Sequence, residues 1–120
     1  MTGRPPRMRD RLTVVVTELE TPDGEAATDA ATFSCRTADI STGGTRLSTE
    51  THLPEGTLVK VTLIFKSPAA HYAFSGHVRW VKKSAEPGRF LMGLQFLDAE
   101  KNLKWVRFIE DRFPGTNLMN

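Results

Sequence analysis

The run TLVKVTLIF, Thr57 to Phe65, decides the fold class. Val59, Val61, Leu63 and Phe65 fall on one side of an extended chain, with Lys60 and Thr62 on the other. Successive side chains of a strand leave opposite faces, so a period of two marks a strand with one buried face. The pattern recurs twice downstream. In YAFSGHVRWV (Tyr72 to Val81) the apolar face is expected to hold Phe74, Gly76, Val78 and Trp80; in RFLMGLQFL (Arg89 to Leu97) it is expected to hold Phe90, Met92, Leu94 and Phe96. SAEPG, Ser84 to Gly88, lies between these two and reads as a hairpin loop.

Upstream, Leu12 to Leu19 is rich in Val and Thr and predicts a first strand. An acidic stretch with Pro, Gly and Ala, Glu20 to Ala30, predicts a loop. Phe33 to Ile40 reads as a second strand, Thr42 to Gly44 as a turn, and Thr45 to Ser48 as a short third strand. At Asp98 the period changes: Leu103, Val106, Ile109 and Phe113 recur at helical spacing, widened by Trp105 and Phe108. Asp98 is the expected N-cap, and Phe113-Pro114-Gly115 stops the helix. The expected architecture is all-β: a six-stranded antiparallel β-barrel carrying a C-terminal α-helix, preceded by an arm at 1–8 and followed by a tail at 115–120, with the barrel and helix at 9–114.

The 120 residues give room for one domain with a modest core. Their 39% hydrophobic and 25% charged content is that of an ordinary globular chain. One cysteine, Cys35, permits no internal disulfide and suits a reducing compartment. Neither a membrane-length apolar run nor a signal peptide is visible, so a cytoplasmic location without membrane insertion is expected. A net charge of +2 is too small for a general nucleic-acid binder. The charge is unevenly spread, however: Arg4, Arg7, Arg9 and Arg11 crowd the first dozen residues, opposed there only by Asp10.

Most catalytic chemistry finds no support. His71 and His77 share a strand face, but six strand residues separate them by roughly 20 Å, and no metal is expected. No nucleophile elbow, P-loop or dinucleotide-binding glycine pattern occurs, and no enzyme is expected. Trp80 and Trp105 fall on the apolar side of their elements and are assigned to the core.

Two short motifs remain. RMRDR, Arg7 to Arg11, puts arginines four apart where the arm meets the first strand. DISTGG, Asp39 to Gly44, gives Asp39 and Ser41 one strand parity and Ile40 the other. The glycines are expected to turn the backbone through positive φ and to leave space. Taken alone, the segment is an adequate Asx- or Ser-capped turn. Together the motifs hold what a guanine nucleotide requires: guanidinium groups for phosphate or guanine O6 and N7, a carboxylate for guanine N1–H and its amine, a hydroxyl, and room beside the main chain.

R-x-x-x-R (Arg7, Arg11) followed by D-x-S-x-x-G (Asp39, Ser41, Gly44) resembles the signature pair of the PilZ domain, the bacterial cyclic di-GMP receptor. HVRWVKK (77–83) and GRFLMGLQFLD (88–98) resemble the late hairpin of that family. The resemblance extends from residue 7 to about 113. It implies a six-stranded barrel with the ligand on its outer wall, clamped by the N-terminal arm. By position, Arg7, Arg11, Asp39, Ser41 and Gly44 would be the ligand-binding residues, with no cofactor beyond the ligand itself. Arg9 and Gly43 are further candidates. Arg46 is another, or else a plain surface arginine; Gly93 is near the expected ligand, or else serves close strand packing. Pro6 stands where family members often carry a basic or bulky residue, leaving open one cyclic di-GMP or an intercalated pair. The implied function is a ligand-gated adaptor with a downstream protein partner, in a process such as motility or surface polysaccharide. The alternative is a ligand-independent protein–protein module of the same fold. A monomer or weak dimer is expected, without stable nucleic-acid binding.

Overall fold

The computed structural model describes residues 12–66 and 69–112. The expected arm and tail lie outside these residues. Six antiparallel strands form a closed barrel in the order β1-β2-β3-β6-β5-β4. They are β1 (Leu12–Glu20), β2 (Thr32–Ser41), β3 (Gly44–Thr49), β4 (Leu58–Lys66), β5 (Ala69–Lys83) and β6 (Phe90–Phe96). A 3-10 turn, Ala99–Lys101, leads to the helix α1 (Leu103–Arg112).

The alternation that marked β4 is the alternation that fills the barrel. Val59, Val61, Leu63 and Phe65 are all buried, and the register pairs Leu63 with Val14 and Val61 with Val16 on β1. Ile40, Leu47, Phe74, Val78, Met92, Leu94 and Phe96 complete the interior. Closure joins β1 to β4 and removes the unpaired edges an open sheet would present.

Helix α1 closes one end. Trp105 is fully buried, with its ring 5.1 Å from that of Phe74, 5.0 Å from Tyr72 and 5.9 Å from Phe96. Ile109 is buried one turn on, and Phe108 packs its ring 4.6 Å from Phe65. The assignment of Trp105 to the core therefore holds.

Two details of the helix differ from expectation. Asp98 does not cap it: its backbone is left-handed (φ 61°) and its side chain makes no capping bond. Asn102 does so instead, its Oδ1 accepting the Trp105 N–H at 3.1 Å. The 3-10 turn that buries Ala99 under the barrel end uses up the residues between the two caps. In consequence Leu103 lies on the outside, 70% exposed, and the packed stripe is Trp105, Val106, Phe108 and Ile109. Phe113 lies outside the described residues.

A β-bulge between Val78 and Trp80 changes the parity of β5. Before it, Phe74 and Val78 point inward; after it, Trp80 pairs opposite Gly93 and stands on the outer wall, half-buried. The core assignment of Trp80 is thus overturned. A bulge inserts one residue into one strand, so every side chain beyond it changes face.

Candidate functional site

Strands β2 and β3 form a tight hairpin in which Ser41 pairs with Gly44, leaving Thr42 and Gly43 as its tip. A second bulge, between Thr37 and Asp39, sets Asp39 directly across from Arg46. The expected parity is present: Ile40 is buried, whereas Asp39 and Ser41 are half-buried on the outer face. Arg46 donates to Asp39 Oδ2 through Nε at 2.8 Å and through Nη2 as well. The bond to Asp39 raises the Arg46 pKa beyond its already high ordinary value, so the guanidinium stays charged. Both side chains are about half exposed (47% and 55%), and water screens the pair. Its role is geometric: it fixes where the carboxylate stands.

Ser41 holds the tip together. Its Oγ accepts the Gly43 N–H at 3.3 Å and lies 3.5 Å from the Gly44 carbonyl. Thr45 Oγ1 donates to the Asp39 carbonyl at 2.7 Å, and the Phe96 N–H donates to Gly43 O at 2.9 Å. Trp105 then ties the tip to the helix, its indole N–H donating to the Thr42 carbonyl at 2.9 Å.

The glycines work differently from expectation. Neither Gly43 nor Gly44 has positive φ; that conformation belongs to Gly24, Gly56 and Gly88. Gly43 is open, with nothing near an added Cβ. At Gly44 an added Cβ would fall 2.3 Å from the Leu94 carbonyl oxygen on β6, so the absence of a side chain lets β3 pair closely there. Gly93 is buried beneath the Trp80 ring, where an added Cβ would meet the indole nitrogen at 2.3 Å.

These residues surround one open depression of about 380 Å³ on the barrel's outer wall. Asp39, Ser41, Gly43, Gly44, Arg46 and Gly93, all singled out in the sequence, line it together. Arg7, Arg9 and Arg11 lie outside the described residues. Arg79 and Trp80 also line it, and sequence reasoning did not place them there. The available signal was that Val78 and Val81 both suit the interior, which fits only if the pair between them is out of step.

The depression offers a carboxylate acceptor, a hydroxyl, two guanidinium groups and an indole ring to a planar, hydrogen-bonding, anionic molecule. Among the described residues no group of His, Cys, Asp and Glu is placed to hold a metal ion. Burial pushes the Cys35 thiol up to about 12, which keeps it protonated at neutral pH. No described helix is long and apolar enough to cross a membrane.

Comparison with known proteins agrees with this geometry. The family model of the PilZ domain matches residues 5–111. Among solved structures, K. pneumonia MrkH in its apo state superposes with a TM-score of 0.54 at 20% identity. The match covers 91% of this chain and 52% of MrkH, so the chain spans about half of that protein's length. No curated protein sequence matches.

Proposed function

This chain belongs to the PilZ domain family, and from that premise we propose that it is a cyclic di-GMP receptor acting as an adaptor. The observation that carries the reading is the convergence of Asp39, Ser41 and the Trp80 ring on one outer-wall depression. Asp39 accepts hydrogen bonds from guanine N1–H and its exocyclic amine, held in position by Arg46. Ser41 adds a hydroxyl beside it, and Trp80 gives the purine a face on which to stack. Gly43 leaves open space at the hairpin tip, so a base can approach the backbone there.

Arg7 and Arg11, which precede β1 in the sequence, supply the phosphate contacts. Drawing the arm onto the barrel wall creates a composite surface of protein and ligand, and this surface recruits or releases the partner. In a closed barrel no strand edge among those described is free to pair with a partner strand, so side chains and ligand make the contact. No bond is made or broken. Motility and surface polysaccharide are the processes this adaptor would serve.

Isothermal titration of the full chain with cyclic di-GMP tests the reading. Saturable binding that weakens at least about tenfold in both Arg11→Ala and Asp39→Ala supports it, since each loses a charge-assisted hydrogen bond. No heat at near-millimolar ligand sinks it, and partner capture indifferent to nucleotide would favour the protein–protein module instead.

A further inference from the structure

The bulge in β5 leaves two consecutive side chains on the outer side. Val78 is buried, Arg79 is exposed and Trp80 is half-buried on the outer wall, so cation and ring stand next to each other at the rim of the depression. Among the described residues, two cations line that depression, Arg46 and Arg79. They are not equivalent. Arg46 gives both Nε and Nη2 to Asp39 Oδ2. Arg79 makes no ion pair with any described residue. On its other side it borders a shallow hollow with Glu55 and His77, so it stands on the ridge between the two.

Charge then separates the roles. One carboxylate and two guanidinium groups line the depression, which leaves one net positive charge. Arg46 is neutralised by Asp39, so among the lining residues the excess resides on Arg79, while Lys82 lies outside the lining with its ammonium 5.5 Å from the centre of the Trp80 ring. The adjacency of ring and cation on one strand matches the adjacency of base and phosphate in one nucleotide. A guanidinium forks onto phosphate oxygens with two parallel N–H donors, a contact that Lys reproduces only as a point charge.

We propose that Arg79 is a phosphate-binding residue of the barrel wall itself, gripping a phosphodiester of the nucleotide whose base stacks on Trp80, while Arg46 is the counter-ion that orients Asp39. This rests on the cyclic di-GMP reading above and adds to it a phosphate contact that does not depend on the arm. The wall therefore holds base and phosphate together. Arg46 acts on the ligand through Asp39, which makes it a positioning residue.

The test is calorimetric titration of the full chain with cyclic di-GMP at low and at high salt. Wild type is compared with Arg79→Ala, Arg79→Lys and Arg46→Ala, each first checked for an unchanged melting temperature. Arg79 is exposed and unpaired among the described residues, so its replacement leaves folding intact. Arg79→Ala is expected to lose roughly tenfold or more in affinity at low salt. The gap to wild type narrows at high salt, where screening weakens the wild-type phosphate contact. Arg79→Lys recovers part of the loss. Arg46→Ala also weakens binding, but by an amount that depends less on salt because the group it positions meets an uncharged base edge. Wild-type affinity in Arg79→Ala, with wild type itself binding, overturns the Arg79 assignment and leaves the receptor reading standing. Absence of binding by wild type overturns both.

Discussion

Three glycines within one site predict three different outcomes when each becomes alanine. At Gly44 the added Cβ would sit 2.3 Å from the Leu94 carbonyl oxygen, 3.4 Å from its carbon and 3.5 Å from the Gln95 Cα. All three are backbone atoms of the neighbouring strand, and no side-chain rotation relieves the clash. The β3–β6 ladder has to open around the Gly44↔Gln95 and Thr45↔Leu94 pairs. Overpacking a fixed environment costs about 1–3 kcal/mol, and a weakened ladder hydrogen bond adds about 1 kcal/mol. The lower entropy of the unfolded alanine chain returns up to about 1 kcal/mol. The net expectation is a loss of about 1–3 kcal/mol, a large fraction of the stability of an ordinary domain. At Gly93 the obstacle is the Trp80 ring, with its indole nitrogen 2.3 Å from the added Cβ. That ring is on the outer wall and lifts away, so stability falls by only about 1 kcal/mol while the stacking face is displaced. At Gly43 nothing lies within 4 Å and φ is not positive, so alanine there is within about 0.5 kcal/mol of wild type. Guanidinium denaturation followed by far-UV circular dichroism measures all three. Gly44→Ala as stable as wild type, or Gly43→Ala as damaging as Gly44→Ala, would refute the close-approach reasoning.

Trp105→Phe keeps most of the aromatic packing but removes the indole bond to Thr42, and is expected to cost about 1–3 kcal/mol. It should also shift the amide resonances of Gly43 and Gly44, which a purely local packing defect in α1 would leave in place. Asn102→Ala removes the side-chain acceptor of the Trp105 N–H and is expected to destabilise by about 1 kcal/mol in denaturant titration, whereas Asp98→Ala, with no capping bond to lose, leaves that cap intact. Cys35, whose folded pKa is raised from 9.0 to about 12 by burial, should resist alkylation at pH 8 in the native protein and react freely in denaturant. Because the folded value lies above the unfolded one, its contribution to stability is complete below pH 9 and is lost as the pH rises from 9 toward 12, which alkaline unfolding midpoints of wild type and Cys35→Ala should show.

The barrel was legible in the sequence because a closed sheet has one buried face, and β4 writes that face into every second residue. The outward placement of Asp39 and Ser41 around buried Ile40 was legible for the same reason. The limits are also physical. A β-bulge adds one residue without any marker in local composition, and a tryptophan satisfies an inner or an outer position equally well in pattern. Trp80 and Arg79 were therefore misread or passed over. The need for glycine at position 44 arises from β6, about fifty residues downstream in sequence, so it resembled an ordinary turn glycine. Asp98 and Asn102 are both good caps in isolation. Only the burial of Ala99 between them chooses Asn102.

Binding of cyclic di-GMP in the depression between the β2–β3 hairpin and Trp80 has a direct spectroscopic signature. Amide and indole chemical shifts of the isotopically labelled full chain, followed during titration with cyclic di-GMP, test it most directly. The predicted result is saturable movement of Asp39 to Arg46, Gly93 and the Trp80 indole N–H, with the exposed face of α1 around Lys104 and Arg107 unmoved. No change at near-millimolar ligand, or changes confined to surfaces away from Asp39 and Trp80, would contradict it.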